Sequence, residues 1–303
     1  MLLKNRIPIS YVFGKIKFEV FFVAFYASII SLVSDNFDIG HLSLPIAIPM
    51  IVGTVISLLL GFRSNQAYDR WWEARIVWGA IVNDSRTLTR QILSFIRDPE
   101  YSVEINLFQE RFVKRQMAWS YCLGQSLRDN DPDMGLNRYL EKHEMVFINH
   151  HDNKPNALLQ LHSRDLKYAM ERGWINTYQQ IELDNTLTKL CDSMGKCERI
   201  KKTVFPTTYG MYIHFSLYFF LLQLPFCLLQ YFGVYQIPFT IAIASAFFLI
   251  EKMAVHLQDP FENKPTDTPV TTIARTIEIN LRQMLDEQEM PVHQSTANYF
   301  YIL

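Results

Sequence analysis

A run of about 21 residues from Leu42 to Phe62 carries no charged side chain, close to the roughly 20 apolar residues that an α-helix needs to cross a bilayer core. Charged residues return directly afterwards, beginning with Arg63. No proline follows until Pro99, so we expect this helix to leave the membrane and continue beyond it. A chain with such a segment is a membrane protein, and the segment is the first place to look for its function.

Three more segments are apolar, and they are Phe18–Ser34, Tyr209–Phe232 and Gln236–Ile250. The span 68–205 is polar and charged, and it has no apolar run of membrane length. The mean hydropathy of +0.02 therefore averages two unlike parts. We predict an all-α membrane protein with four transmembrane helices and a helical cytosolic domain. The predicted parts are 1–67 (tail and first two membrane helices, the second over 42–62), 68–205 (cytosolic), 206–252 (membrane helices three and four) and 253–303 (C-terminal cytosolic segment).

The polar middle has helical rather than strand periodicity. Apolar residues recur at helical spacing in five segments, and no alternating strand pattern occurs. The predicted helices are Arg70–Ile96, Leu107–Leu127, Leu136–Ile148, Asn156–Met170 and Ile181–Ile200. A final amphipathic helix is predicted from about Thr271 to Leu285.

Lysine and arginine collect on cytoplasmic flanks of membrane helices. Here they precede the first helix, follow the second and approach the third, whereas the two remaining loops contain none. We therefore expect both termini and the middle domain in the cytoplasm, in a multi-pass protein of the cell inner membrane. The net charge of −1, without a basic stripe, predicts no nucleic-acid partner.

The second apolar segment contains two ridges at a four-residue step. Small residues at Gly53, Ser57 and Gly61 would let another helix approach closely. Beside them lie Thr54, Leu58 and Phe62. If several copies turned this second ridge toward a shared axis, rings of Leu and Phe would form a narrow neck that gates ions by dewetting. Ordinary helix packing explains the same periodicity, and both interpretations stay open at this point.

Several charged residues allow more than one interpretation. Arg63 could attract anions to the inner mouth of a pore, or it could hold its helix to lipid headgroups and pair with Asp69 or Glu73. Glu251 and Lys252 are typical of an interfacial ion pair. A group at His143, Glu144, His150 and His151 has no recognised ligand spacing, so we interpret it as a solvated loop and expect no metal.

Four sequence stretches together resemble the bacterial branch of the bestrophin family, in order and spacing along nearly the whole chain. The first is Leu60–Arg75, which contains Arg-Trp-Trp, and the second is Gly195–Ile200, with Pro206 nearby. The third is Leu224-Pro225-Phe226, and the fourth is Asp259-Pro260-Phe261, which is similar to the Asn-Pro-Phe of the family. The resemblance implies a homopentameric ion channel, mainly helical, with one central pore that extends from membrane into cytosol.

The resemblance also implies roles for individual residues. The pore neck of the family corresponds to Thr54, Leu58 and Phe62, and Thr54 departs from the bulky apolar residue usual there. A second, cytosolic aperture corresponds to Ile181, with Ile175 as an alternative. Animal members bind calcium through an acidic run after Asn-Pro-Phe, but here only Glu262 and Asp267 are available. Calcium prefers several carboxylate ligands, so we expect no cofactor and no calcium gating.

We therefore interpret the chain as a passive channel for chloride or other small monovalent anions and not as an enzyme, with the ions, the lipid bilayer and copies of itself as its partners. A monovalent-cation channel of the same architecture is the alternative, because selectivity varies among bacterial relatives. In a different class, the helices would only anchor a ligand sensor or enzyme that conducts nothing. A secondary transporter would need intramembrane polar groups for coupling, and only Glu19 is charged near the bilayer.

Overall fold

The computed structural model describes residues 9–37, 44–96, 103–203 and 206–291. Throughout these ranges the ordered elements are helices, and no strand occurs in them. They are α1 (Ile9–Gly14), α2 (Lys17–Asn36), α3 (Ala47–Phe95), α4 (Val103–Leu127), α5 (Lys142–Asn149), α6 (Lys154–Glu171), α7 (Thr177–Lys202), α8 (Thr207–Phe232), α9 (Gln236–Gln258) and α10 (Val270–Met284). The prediction of an all-helical chain is confirmed for these residues.

The helix α3 is a single uninterrupted helix of 49 residues. The two segments predicted as a membrane helix and as the first cytosolic helix are thus one element. At about 1.5 Å per residue it is about 70 Å long, more than twice the thickness of a bilayer core. The expected start at Leu42 lies outside the described residues, and the described helix begins at Ala47.

Three helical stretches in the described part of the chain are long and apolar enough to cross a membrane. They are Lys17–Asn36, Ala47–Phe95 and Thr207–Gln258. The third stretch contains both α8 and α9, which are separated by a 3₁₀ turn at Gly233–Tyr235. All three stretches contain apolar segments that the sequence analysis assigned to the membrane.

The chain divides into two compact units. One, which we call the apolar unit, is Leu2–Trp71 with Val204–Asp259, and the other, the polar unit, includes Trp72–Thr203 and Pro260–Leu303. The core of the apolar unit is built by α2, α8, α9 and the first part of α3, with residues such as Ile56, Leu60, Leu217 and Phe248 at its centre. Burial of apolar side chains along one stripe of each helix is what orders this core.

Proline and polar residues within the apolar unit have local partners. Pro225 lies inside α8, where its ring prevents one backbone hydrogen bond. The hydroxyl of Tyr26 donates to the carbonyl of Leu222 in the turn before it, at 2.8 Å. The buried Gln236 donates to the carbonyl of Ala27, also at 2.8 Å, and so joins α9 to α2. Such bonds satisfy backbone groups that lipid cannot.

The polar unit has its own core, around the fully buried Trp78, Phe112 and Trp119. One helix prediction here is wrong. Leu136–Ile148 is not one helix but a 3₁₀ turn at Leu136–Arg138 followed by α5. The break occurs because Glu141 begins a new helix with a capping box, in which its side chain and that of Glu144 each bond the other's backbone N–H.

Candidate functional site

The three predicted neck residues project from one exposed side of α3. In the single chain, Leu58 is 60% exposed and Phe62 is 53% exposed, and Thr54 is exposed as well. Large apolar side chains in the membrane-type part of a helix stay exposed only when lipid, a pore or another copy covers them. The hydroxyl of Thr54 donates to the carbonyl of Met50 at 2.8 Å, so its proton is bonded within its own helix and its oxygen can still accept a hydrogen bond.

The opposite side of α3 packs inside the apolar unit. Its buried residues follow alternating steps of three and four, and they are Gly53, Ile56, Leu60, Arg63 and Ala67. This spacing keeps one stripe of a helix facing its neighbours. The neck residues lie on the face that the stripe leaves exposed.

The small-residue ridge is divided between these two sides. Gly53 is buried against Phe220, and a Cβ atom at this glycine would lie 3.1 Å from the phenylalanine ring. Ser57 is exposed and donates to the carbonyl of Gly53 at 2.8 Å. Gly61 is exposed too, and a Cβ there would meet no atom within 4 Å. Within one chain, therefore, only Gly53 serves close packing.

Arg63 belongs to the buried stripe and is only 7% exposed. Its guanidinium forms an ion pair with Glu251 of α9 at 4.0 Å. Glu251 is 5% exposed, and the same carboxylate oxygen lies 2.9 Å from Nδ1 of His214 on α8. Arg63 therefore turns inward and pairs with Glu251, and it does not face outward as an anion attractor.

The expected pairing of Glu251 with Lys252 is wrong. Adjacent residues on a helix point about 100° apart and do not face each other. Lys252 instead binds Glu19 of α2 at 2.7 Å, while Glu251 faces Arg63 and His214. Helical periodicity does not identify these partners, because each lies on a different helix.

The predicted aperture residue Ile181 is on α7 in the polar unit and is 52% exposed. The alternative, Ile175, is buried in the core of that unit. The α7 helix begins with a capping box between Asn176 and Gln179, which fixes the first turn. Of the two candidates, only Ile181 presents its side chain to an open surface of the chain.

In the segment of the expected calcium ligands, both carboxylates have protein partners, but Oδ1 of Asp267 is buried without a hydrogen-bond partner. Glu262 forms an ion pair with Lys264, and Asp267 accepts the backbone N–H of Lys264 at 2.9 Å. Burial raises the pKa of Asp267, against the Lys264 N–H and the positive charge of Arg128, both of which lower it. Two carboxylates with such partners do not fit a calcium ion, which needs six or more oxygen ligands.

Other acidic and histidine side chains give no metal cluster. No group of three or more His, Cys, Asp or Glu residues that could hold a metal ion occurs within 9–37, 44–96, 103–203 and 206–291. His143 is exposed, as expected for a solvated loop, but Glu144 is not. It is completely buried and binds Arg115, so this part of the interpretation is wrong.

Comparison with known proteins places the chain in a family. The model of the family described as Bacterial/Fungal Bestrophin protein matches residues 4–283, and the chain belongs to this family. It is similar to the voltage-dependent anion channel-forming protein RSc3414 of Ralstonia nicotianae, with 30% identity over 79% of this chain and 77% of the relative. The voltage-dependent anion channel-forming protein YneE of Escherichia coli strain K12 is 31% identical, over 80% of this chain and 77% of that protein.

The fold agrees with this membership. A crystal structure of a bacterial bestrophin homologue from Klebsiella pneumoniae superposes with a TM-score of 0.85 at 27% identity, covering 90% of this chain and 100% of the other. The resemblance that the Arg-Trp-Trp and Asp-Pro-Phe stretches indicated is therefore confirmed.

Proposed function

We propose that the chain forms a passive channel for small monovalent anions, with chloride as the foremost candidate. Two curated relatives that match about four fifths of the chain are named as anion channel-forming proteins. No catalytic role is proposed for any residue. The ions move down their gradient, and the protein supplies a path of suitable width and polarity.

The observation that carries this proposal is the exposure of Leu58 and Phe62 on one face of α3. With the α3 helices of several copies around one axis, these side chains would form stacked apolar rings. A hydrated ion does not cheaply enter such a ring, so the neck opens and closes by wetting and drying. The outward edges of phenylalanine rings are electropositive and favour an anion slightly.

The proposed assembly is a homopentamer in the inner membrane, by analogy with the family. Each subunit would cross the membrane four times, through α2, the first part of α3, α8 and α9. With 26 and 23 residues, α8 and α9 are each about 35 Å long or more, enough for a bilayer core of about 30 Å. The distribution of lysine and arginine supports cytoplasmic termini. Ile181 would form a second constriction in the cytosol, and no bound calcium is required.

A cation-selective channel is the second candidate, and the charges of α3 favour it. Arg63 and Arg70 are held in ion pairs, with Glu251 and Asp259 respectively, whereas Asp69 is exposed. If the exposed face of α3 lines the ion path, the exposed charge that it carries at Asp69 is negative and attracts cations. Reversal potentials in asymmetric chloride salts distinguish the two selectivities directly.

Single-channel recording of the purified protein in liposomes tests the proposal. We expect Leu58→Ala with Phe62→Ala to raise conductance or open probability, because the neck becomes wider and wets more readily. Phe215→Ala with Phe219→Ala is a matched control, since these residues are also exposed, apolar and four positions apart, but on α8. A parent protein that conducts no ion would favour the membrane-anchored sensor or enzyme.

A further inference from the structure

We propose that the buried ion pair of Arg63 and Glu251 positions the pore neck by fixing the rotation of α3 about its own axis. Arg63 directly follows Phe62, and successive side chains of an α-helix are about 100° apart. Holding the guanidinium on the inner side of α3 therefore determines where the Phe62 ring points. This inference rests on the proposed neck, and it assigns the orientation of the neck residue Phe62 to an ion pair that lies outside the ring of neck side chains.

The pair is a directional constraint because both partners are buried. A charged side chain in a membrane-type core is costly unless it is paired. Rotation of α3 that turned Phe62 elsewhere would carry Arg63 away from Glu251 and separate two buried opposite charges.

Two further residues make room for the pair and hold it. Gly210 of α8 lies against the guanidinium, and a Cβ atom there would be 3.3 Å from Nη2 of Arg63. His214, one turn further along α8, holds the carboxylate of Glu251 at 2.9 Å. The pair is thus enclosed by α8 and α9, and α3 is attached to both of these helices at the level of Phe62.

The neighbouring ion pair of Glu19 and Lys252 completes the local charge balance. Lys252 is bound to Glu19 at 2.7 Å and does not compete for Glu251. Glu251 is the acidic residue of α9, so within this helix the constraint links one pair of positions. Such specificity is the best-attested use of buried polar pairs in proteins.

The test compares removal of the pair with its reversal. In Arg63→Met with Glu251→Met, both charges are replaced together, which often leaves stability unchanged or improved. We expect this variant to assemble normally and to raise open probability about fivefold, the shift that about 1 kcal/mol produces in a two-state equilibrium. Arg63→Glu with Glu251→Arg reverses the pair, and we expect it to return to within about twofold of the parent protein.

A milder variant covers the case in which these proteins fail to fold. Gly210→Ala introduces only a methyl group, which displaces the guanidinium by a few tenths of an ångström, and we expect a smaller change in the same direction. Gly195→Ala is the matched control, because a Cβ at this helical glycine meets no atom within 4 Å. In all these variants the reversal potential should stay unchanged, because the pair does not face the ion path.

The outcomes separate this inference from the proposed function. If Leu58→Ala with Phe62→Ala changes gating but loss or reversal of the pair does not, the positioning role is wrong and the neck stands. If loss of the pair changes gating and the reversed pair does not restore it, the effect is general disturbance and the inference is again wrong. If the parent protein conducts nothing, the proposed function fails, and the positioning role fails with it.

Discussion

The guanidinium of Arg115 donates to the carboxylate of Glu144 from Nε at 2.7 Å, and both side chains are almost completely excluded from solvent. A second guanidinium nitrogen of Arg115 lies 2.8 Å from Asp165. The other oxygen of Glu144 accepts the backbone N–H of Glu141 at 2.9 Å and so caps α5. One ion cluster thus connects α4, α5 and α6 in the polar unit.

Removing one partner of this cluster should destabilise the protein strongly. Glu144→Gln leaves the charge of Arg115 buried and only partly compensated, and we expect a loss of roughly 3 kcal/mol in the free energy of unfolding. Denaturation of the detergent-solubilised protein measures it. Glu171→Gln is the control, because its ion pair with Lys167 is exposed and should contribute less than about 0.5 kcal/mol. Equal losses in both variants would contradict a special role for the buried cluster.

His162 should make the polar unit sensitive to acid. Burial, together with the charge of Arg115, holds the pKa of this imidazole well below its usual range. The folded protein therefore keeps it neutral, while the unfolded chain binds a proton below about pH 6.5. Stability should fall as the pH falls below that value, by at most about 1.4 kcal/mol per pH unit.

A substitution checks this assignment. We expect His162→Phe to flatten the fall in melting temperature between pH 6.5 and pH 5, because the new ring cannot bind a proton and still packs against Phe112. The exposed His143→Gln should leave the slope as it is. A slope that does not change in His162→Phe would assign the acid sensitivity to other groups.

Substitutions at the two ends of the small-residue ridge should affect different properties of the protein, namely subunit stability and oligomer formation. In Gly53→Leu, the new side chain meets Phe220 inside the subunit, and we expect a loss of about 1–3 kcal/mol in stability. Gly61→Leu has open space in the single chain, so we expect it to keep the subunit folded and to weaken the oligomer. Thermal unfolding and size-exclusion chromatography of the same samples distinguish the two. A stable oligomer in Gly61→Leu would show that no neighbouring copy packs there.

Ile181 and Ile175 should likewise differ in the property that they affect. Ile181→Ala removes an exposed side chain, and we expect altered conductance or ion preference with stability changed by less than about 0.5 kcal/mol. Ile175→Ala leaves a cavity in the core and should cost about 2–5 kcal/mol of stability. Parallel flux and unfolding measurements decide between them, and an inert Ile181→Ala would remove the second constriction from the proposal.

Channel activity should not depend on calcium. Flux measured with a calcium chelator should equal flux with millimolar calcium, because the segment offers only two carboxylates, Glu262 and Asp267, and Glu262 is paired with Lys264. Asp267→Asn should behave in the same way in both conditions. A loss of flux on chelation that Asp267→Asn abolishes would establish a calcium site after all.

Much of the fold was accessible from the sequence because it depends on local signals. The apolar segments and the 3.6-residue periodicity predicted α2, α4, α6, α7, α8 and α10 close to their observed bounds, whereas α9 continues past the predicted end at Ile250 to Gln258. The absence of proline between Leu60 and Phe95 predicted that α3 would continue without a break. The division of Leu136–Ile148 was missed because a capping box and a helix interior contain the same types of residue.

The ion pair of Arg63 and Glu251 beside the candidate site could not be predicted in the same way. Periodicity identified Thr54, Leu58 and Phe62 as one face, since that relation lies within a single helix. The partner of Arg63 is determined by tertiary packing, because Glu251 lies on another helix. From the sequence, Glu251 was paired with its neighbour Lys252 instead. The useful signal, in retrospect, was a lone acidic residue within an apolar helix, which requires a buried partner from elsewhere in the chain.

The pairing of Arg63 with Glu251 also constrains the order in which the protein matures. During synthesis the ribosome completes α3 long before it reaches α9, so under the proposed topology Arg63 reaches the membrane while its partner does not yet exist. A lone arginine at that depth is unfavourable, and the first two membrane helices on their own would hold it near the headgroups. Under the proposed topology, the final packing of α3 therefore waits until α8 and α9 have inserted.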